Sequence, residues 1–352
     1  MRDVAIVSFA QTDHLRAVPE RNEVELIQPV IQQCFEQIGA TVADIDFICS
    51  GSSDYLAGQA FSFVMTLDAV GAWPPKSESH VEMDGAWALY EAWLKIQTGH
   101  FDTALVYGYS KASPGDLPRV LSRQLDPYYY GPLWPDSVAI AGLQARAMLD
   151  AGTITKQEMA EIAHRSRTAA ESNPHAQVKG SASVEELLAG EYLSDPLHRH
   201  DCPPISDGGA AIILAAGDKV AEWSKRPAWI RGIDHRIDSH NIGARDLTVA
   251  PSARIAAEHA GVAAGPLDVA ELSAPFTHQE KLLVDALGIG AGVSINPSGG
   301  ALAANPMMGT GLIRMGEVAN RIADGSANRG VAHATSGHLL QQNLVCVLEA
   351  GQ

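Results

Sequence analysis

The chain has 352 residues, a formal net charge of −16 and an apolar content of 46%. That length holds one large domain or two ordinary ones, and the acidic balance, with an isoelectric point near 5.2, argues against a nucleic-acid or anionic-membrane surface. No apolar run approaches the ~20 residues that span a bilayer, the first residues show no leader pattern, and the cysteines Cys34, Cys49, Cys202 and Cys346 form no C-x-x-C pair, which argues against a disulfide framework or zinc site and for a reducing cytoplasm.

In chain order, residues 4–9 read as a strand. Residues 24–38 read as a helix, because Ile27, Val30, Ile31, Cys34 and Phe35 recur at helical spacing. A short buried strand follows over 45–50, a helix over 61–69, a strand over 80–83, an amphipathic helix over 86–97 and a strand over 103–107. This alternation predicts a largely parallel sheet covered by helices. Residues 110–199, rich in Pro, Tyr and Arg, read as a lid-like insertion over the first half, with helices over 138–151 and 157–170. The glycine turn Ser206-Asp207-Gly208-Gly209 returns the chain to the sheet.

The grammar then repeats: strands over 228–233, 269–272 and 293–296, helices over 252–260, 280–287 and 310–322, and a closing strand pair over 331–334 and 344–348. The expected organisation is a first half, 1–217, containing the insertion 110–200, and a second half, 218–352, as an internal duplication.

The densest motif runs from Asn296-Pro297-Ser298-Gly299-Gly300 through an apolar stretch to Asn305-Pro306-Met307-Met308-Gly309-Thr310-Gly311. Glycines there let backbone amides approach a ligand closely, which makes Gly299, Gly300, Gly309 and, in the last hairpin, Gly337 candidates for substrate binding. The segment resembles the thiolase signature N-x-x-G-G-x-x-A leading into G-H-P-x-G-x-[ST]-G. With the Ser206–Ala211 turn, the Glu271–Phe276 strand end and the closing hairpin, the resemblance covers essentially the whole chain. It is nearest in kind to the sterol-carrier-type thiolases, also labelled lipid-transfer proteins. It implies the thiolase fold: two βαβαβ halves in five-layer αβαβα packing.

The resemblance also locates four catalytic positions, and each carries another residue. Glu82 stands where the nucleophilic cysteine of C-x-[ST]-G belongs, before Met83-Asp84-Gly85. Ser273 replaces the Asn or His of the N-E-A-F turn. Asn305 replaces the histidine of G-H-P, and Gly337 the second cysteine. Cys346 falls inside the last strand and does not substitute for it. A carboxylate at a helix N-terminus is favoured by about 0.3–1 kcal/mol, so Glu82 reads either as a structural acid or as a base in the nucleophile pocket. Asp84 reads as a helix cap.

His278 and His338, in loops at strand ends, are candidate acid–bases near neutral pH or ordinary loop histidines. His333 reads as a core group. Asn305 and Asn343 can donate to a carbonyl oxygen but move no protons near pH 7. Tyr128, Tyr129, Tyr130 and Trp134 read either as loop packing or as a wall for a bulky acyl group. The run from His198 to Cys202 matches no standard metal-ligand spacing, and no metal site is expected. Lys156, Arg165, Arg167 and Lys179 are scattered bases from which no CoA phosphate site is named.

Two functions fit. One is an acyl-CoA-binding or scaffolding subunit of lipid or steroid side-chain metabolism that has lost thiolase chemistry. The other is a carbon–carbon lyase of retro-aldol type acting on a 3-hydroxyacyl-CoA. Neither needs a resident cofactor; CoA thioester enters as substrate or ligand. The resemblance implies a homodimer, or a heterodimer with a thiolase-like paralogue, paired through the strand at 80–83, and a small OB-fold zinc-ribbon partner protein.

Overall fold

The computed structural model describes every residue except Met1, Gln59, Ala72 and Gln352. Its main elements are β1 (Val4–Gln11), α1 (Glu23–Ile38), β2 (Phe47–Gly51), β3 (Ser77–Val81), α2 (Gly85–Gln97), β4 (Thr103–Ser110), α3 (Ser137–Asp150), α4 (Lys156–Ala169), β5 (Gly208–Ala216), β6 (Ala228–Ile237), α5 (Pro251–Ala260), β7 (Val269–Leu272), α6 (Thr277–Ala286), β8 (Ser294–Ile295), α7 (Thr310–Ala323), β9 (Arg329–Ser336) and β10 (Gln342–Ala350). Local chemistry sets several boundaries. Asn22 and Glu25 form a capping box at the start of α1, and Gly39, at φ 66°, ends it in the left-handed conformation.

The strands run in the order β8-β7-β9-β10-β6-β1-β5-β4-β2-β3. Reading outward from the β1–β6 junction, each half repeats the same arrangement. In the first half β2 pairs in parallel with β3 and β4, whereas β5 is antiparallel to both β4 and β1. In the second half β7 pairs in parallel with β8 and β9, and β10 is antiparallel to β9 and β6. The expectation of a largely parallel sheet is therefore corrected: two of the four pairings in each half are antiparallel. The short connections that bring β10 back along β9 and the long insertion that precedes β5 both allow the reversal.

Three apolar clusters define the layers. One holds α2 and α7 between the two half-sheets, with Leu89, Ala92 and Ile96 meeting Leu312, Met315 and Val318. A second packs α1 on the outer face of the first half. The third packs α5 and α6 on the outer face of the second half. The result is five layers, helix–sheet–helix–sheet–helix. Close approach of α7 depends on glycine: a Cβ at Gly311 would lie 2.4 Å from the Ala334 Cβ and 2.6 Å from Asp84 Oδ1.

The insertion corrects a second expectation. Its buried side chains Ala141, Ala145, Met148 and Met159 join the cluster of the second half, beside Ala253, Leu272 and Leu282. The apolar face of α3 thus covers the half that follows it in the chain, and the insertion roofs the loops at the ends of β7 and β9. No helix among the described residues is long and apolar enough to cross a membrane.

Candidate functional site

A cavity of about 780 Å³ lies between the insertion and the second half, and Ser273, Asn305, Gly337 and His338 all line it. Its size is within the range of small-molecule sites. Ser273 follows β7, and Gly337 and His338 follow β9, so the chemistry-bearing groups stand beyond the carboxyl ends of parallel strands, where open α/β sheets bind ligands.

The glycine motif is held in place by buried charge. Arg314 Nη1 donates to Glu271 Oε2 and Ser298 Oγ, both at 2.6 Å, and Ser298 N donates to Glu271 Oε1 at 3.0 Å. Asn296, at φ 47°, accepts from Leu272 N at 2.6 Å and donates to Glu280 Oε2 at 2.7 Å. Burial pushes the Glu271 carboxyl up, and the Arg314 guanidinium opposes that shift. These bonds tie the turn to β7 and α6 and so set the start of the segment that delivers Asn305. Asn305 is then placed by its own N–H, which donates to Ser206 Oγ at 3.0 Å, and by Thr310 Oγ1, which lies 3.0 Å from its Oδ1. Thr310 Oγ1 also lies 2.9 Å from the Pro306 carbonyl oxygen, so its one hydroxyl hydrogen is shared between the two acceptors.

His338 lines the cavity beside Leu121. Burial lowers its pKa, and a hydrogen bond to the Leu121 backbone opposes the shift. Its Nε2 has no hydrogen-bond partner among the described residues. A neutral imidazole with an unpartnered ring nitrogen can act as a general base.

The other expected site residues are placed elsewhere. Glu82 is exposed, accepts from Asp54 N at 2.7 Å and lies 3.6 Å from His80; it does not line the cavity. The tip of α2 belongs to Asp84, which is 1% exposed. Its Oδ1 accepts from Ala86 N at 2.8 Å and Leu312 N at 3.1 Å, and its Oδ2 from Gly311 N at 2.9 Å. Asp84 thus caps both central helices. Burial pushes its carboxyl up to about 6, with the three amides opposing.

His278 sits on α6, fully buried and outside the cavity wall, with both ring nitrogens lacking a partner and its pKa lowered to about 3 by burial. Phe276, just before α6, and Gln279 on it line the cavity instead; His278 is next to Gln279 on the helix and so points to a different side. Gly299 and Gly300, at φ 95° and 61°, also lie outside the wall. A Cβ on Gly299 would come within 2.7 Å of Ala170 and Ala303, so that glycine serves a turn packed against the insertion. Gly309 abuts Gly108 rather than the cavity.

None of the cysteines lies at the tip of α2. Cys346 is buried within β10, as its place in the closing hairpin implies, and Cys49 within β2. Cys202 does line the cavity, but its Sγ donates to the His198 carbonyl at 3.5 Å and burial pushes its thiol up to about 12. The same cause raises Cys34, Cys49 and Cys346.

Basic residues with no site role legible in the sequence also line the cavity. Arg16, Arg199 and His200 line it, together with Arg167, whose Nε has no partner. These make a local positive region on an acidic chain. Tyr128, Tyr129 and Trp134 are exposed and do not form its wall. Tyr130 turns inward, its hydroxyl donating to Asn241 Oδ1 at 2.9 Å. His333 is a core group, with Nε2 2.8 Å from Asn343 Oδ1. Arg165 pairs with buried Glu280, and no cluster of potential metal ligands occurs among the described residues.

Known proteins share this architecture. No known protein-family profile matches the chain. An acetyl-CoA acetyltransferase of Methanothermobacter thermautotrophicus is 27% identical over 372 residues, covering 96% of this chain and 95% of that protein. Sterol carrier protein 2 of Gallus gallus is 26% identical over 297 residues, covering 71% of this chain and 54% of that protein. Among solved structures, the Ltp2-ChsH2(DUF35) aldolase superposes with a TM-score of 0.81 at 19% identity, over 99% of this chain and 98% of that one. Human mitochondrial 3-ketoacyl-CoA thiolase superposes with a TM-score of 0.79 at 15% identity, over 99% of each chain.

This is the thiolase fold. The relatives that span almost the whole chain support a place in the thiolase superfamily. Within the thiolase fold, the cavity belongs to the loops of the second half and the insertion.

Proposed function

We propose that the chain binds an acyl thioester in this cavity and cleaves a carbon–carbon bond in it by a retro-aldol reaction that uses no cysteine. One observation carries the reading: Ser273, Asn305 and His338 line the same cavity, while every thiol is buried and raised above the range of a nucleophile. The names of the relatives, acetyl-CoA acetyltransferase and sterol carrier protein 2, support an acyl-CoA ligand and a lipid-related role. The name of one fold neighbour, an aldolase, supports lyase chemistry on this scaffold.

In the proposed reaction His338 takes the proton of the 3-hydroxyl. The C2–C3 bond breaks, its electrons pass to the thioester enolate, and C3 leaves as a carbonyl. Asn305 and Ser273 donate to the enolate oxygen. His338 then returns the proton to C2. Burial keeps the imidazole neutral near pH 7, which is the form a base requires.

The test is incubation of the chain with a 3-hydroxyacyl-CoA, with products read by mass spectrometry. The expected products are an aldehyde and acetyl-CoA, and 3-ketoacyl-CoA plus CoA should yield no thiolysis product. Thiolysis above background would overturn the reading. The locked Asp84 and outward Glu82 leave no acid–base at the tip of α2. Binding without cleavage would therefore identify an acyl-CoA-binding or scaffolding subunit.

The proposed assembly is a dimer, with itself or with a thiolase-like paralogue, through β3 at the edge of the sheet. Phe63 of the neighbouring helix stacks on His80 at 4.6 Å, and Phe61 and Trp73 nearby are 70% and 80% exposed. A small OB-fold zinc-ribbon partner is part of the same proposal. Light scattering of the purified chain, alone and with candidate partners, tests both.

A further inference from the structure

Gln279 and Gln144 are 2% and 1% exposed, and both carry amides that must be oriented by their partners. The orientation begins at a backbone carbonyl. Leu247 O can only accept, so Gln144 presents its NH2 to it, at 3.2 Å. Gln144 Oε1 therefore faces the other way and accepts from Gln279 Nε2 at 3.0 Å. That leaves Gln279 Oε1, buried and without a partner among the described residues, on a side chain that lines the cavity. Val138 and Ala141 on α3 and Phe276, just before α6, line the same cavity and are apolar. A buried acceptor left bare is unfavourable, and a site built this way favours the ligand that completes the bond.

We propose that Gln279 is a specificity residue, its side-chain oxygen accepting a hydrogen bond from a hydroxyl or amide N–H on the ligand that the cavity binds. The proposal rests on the acyl-thioester reading of the cavity. Such a donor has two sources: a hydroxyl on the acyl group, or an amide of the CoA arm. Gln144 is the positioning residue. By accepting from Nε2 it fixes which end of the Gln279 amide is left without a partner, and it does not itself line the cavity.

The test is calorimetric binding of CoA, octanoyl-CoA and its 5- and 8-hydroxy derivatives, which the proposed reaction does not cleave, to the wild-type chain and to Gln279→Leu and Gln144→Leu, each checked for an unchanged melting curve. If the donor is on the acyl group, one hydroxylated probe binds the wild type about tenfold to a hundredfold better than octanoyl-CoA. Both variants then lose that preference. If the donor is the CoA arm, no hydroxyl preference appears, and Gln279→Leu weakens every probe, CoA included, by a similar factor. Binding of all probes within twofold across the three proteins would overturn the inference and leave the acyl-thioester reading standing. No binding of any probe to the folded wild type would remove that reading and the inference with it. Should Gln279→Leu fail to fold, the wild-type hydroxyl preference and its loss in Gln144→Leu still decide.

Discussion

The two halves of this duplicated fold treat the ends of their central helices differently. At the tip of α2 the polar groups are spent on structure: Asp84 holds three backbone amides from two helices, and Glu82 turns out to solvent. At the other end of the site, the loops after β7 and β9 and before α7 bring Ser273, His338 and Asn305 to one cavity. The same βαβαβ unit has thus become a support in the first copy and a site in the second, because the Asp84 carboxylate is buried and engaged by three backbone amides and does not reach the cavity.

The comparison is most exposed at its two acid–base candidates. His338→Ala should lower retro-aldol cleavage by about 10²–10⁴-fold with an unchanged melting curve, whereas Glu82→Gln should leave the rate within about twofold, because that carboxylate lies outside the cavity. Steady-state kinetics on one 3-hydroxyacyl-CoA decides, and a larger loss in Glu82→Gln would reverse the assignment of the halves.

At pH 4, Asp84→Ala should instead cost stability, on the order of 3 kcal/mol, since it strips an acceptor from three buried amides. Urea unfolding measures this. A loss below about 1 kcal/mol would mean that the amides find other partners.

A pH series sharpens the same point. Burial raises the folded-state pKa of Asp84 from 3.8 to about 6, so the folded chain holds that proton more tightly than the unfolded one. The associated stabilisation is complete below about pH 4 and disappears as pH rises through about 6, with a slope of at most ~1.4 kcal/mol per pH unit. The stability difference between wild type and Asp84→Ala should therefore shrink between pH 4 and 6. A difference that grows with pH would show that the amide bonds outweigh burial. The smallest effect is expected at Cys202, where Cys202→Ala should change cleavage by less than about twofold, because its thiol is raised to about 12. A large loss there would return cysteine chemistry to the cavity.

Much of this was legible in local chemistry. The Asn296–Gly311 motif, the place of Cys346 inside the closing strand and the capping role of Asp84 all follow from residue type and spacing. So does the presence of Ser273, Asn305, Gly337 and His338 at strand-end loops. Other features were not legible. Glu82 occupies the expected register, yet one rotation about the strand end sends it to Asp54 N. His278 is next to Gln279 on a helix and therefore points to a different side. The glycines at 299, 300 and 309 signal close approach without saying whether ligand or protein comes close.

The amino-acid sequence by itself determined the element order, the duplication and the polar residues carried to the strand ends, because periodicity, capping and turn chemistry act over a few residues. Tertiary structure alone decided which of those residues share a cavity, that the insertion roofs the second half, and that Asp84 spans two helices. Those outcomes depend on contacts between segments up to 228 positions apart, and on burial, which sets the protonation of Asp84, His338 and Cys202 and cannot be read from any one segment.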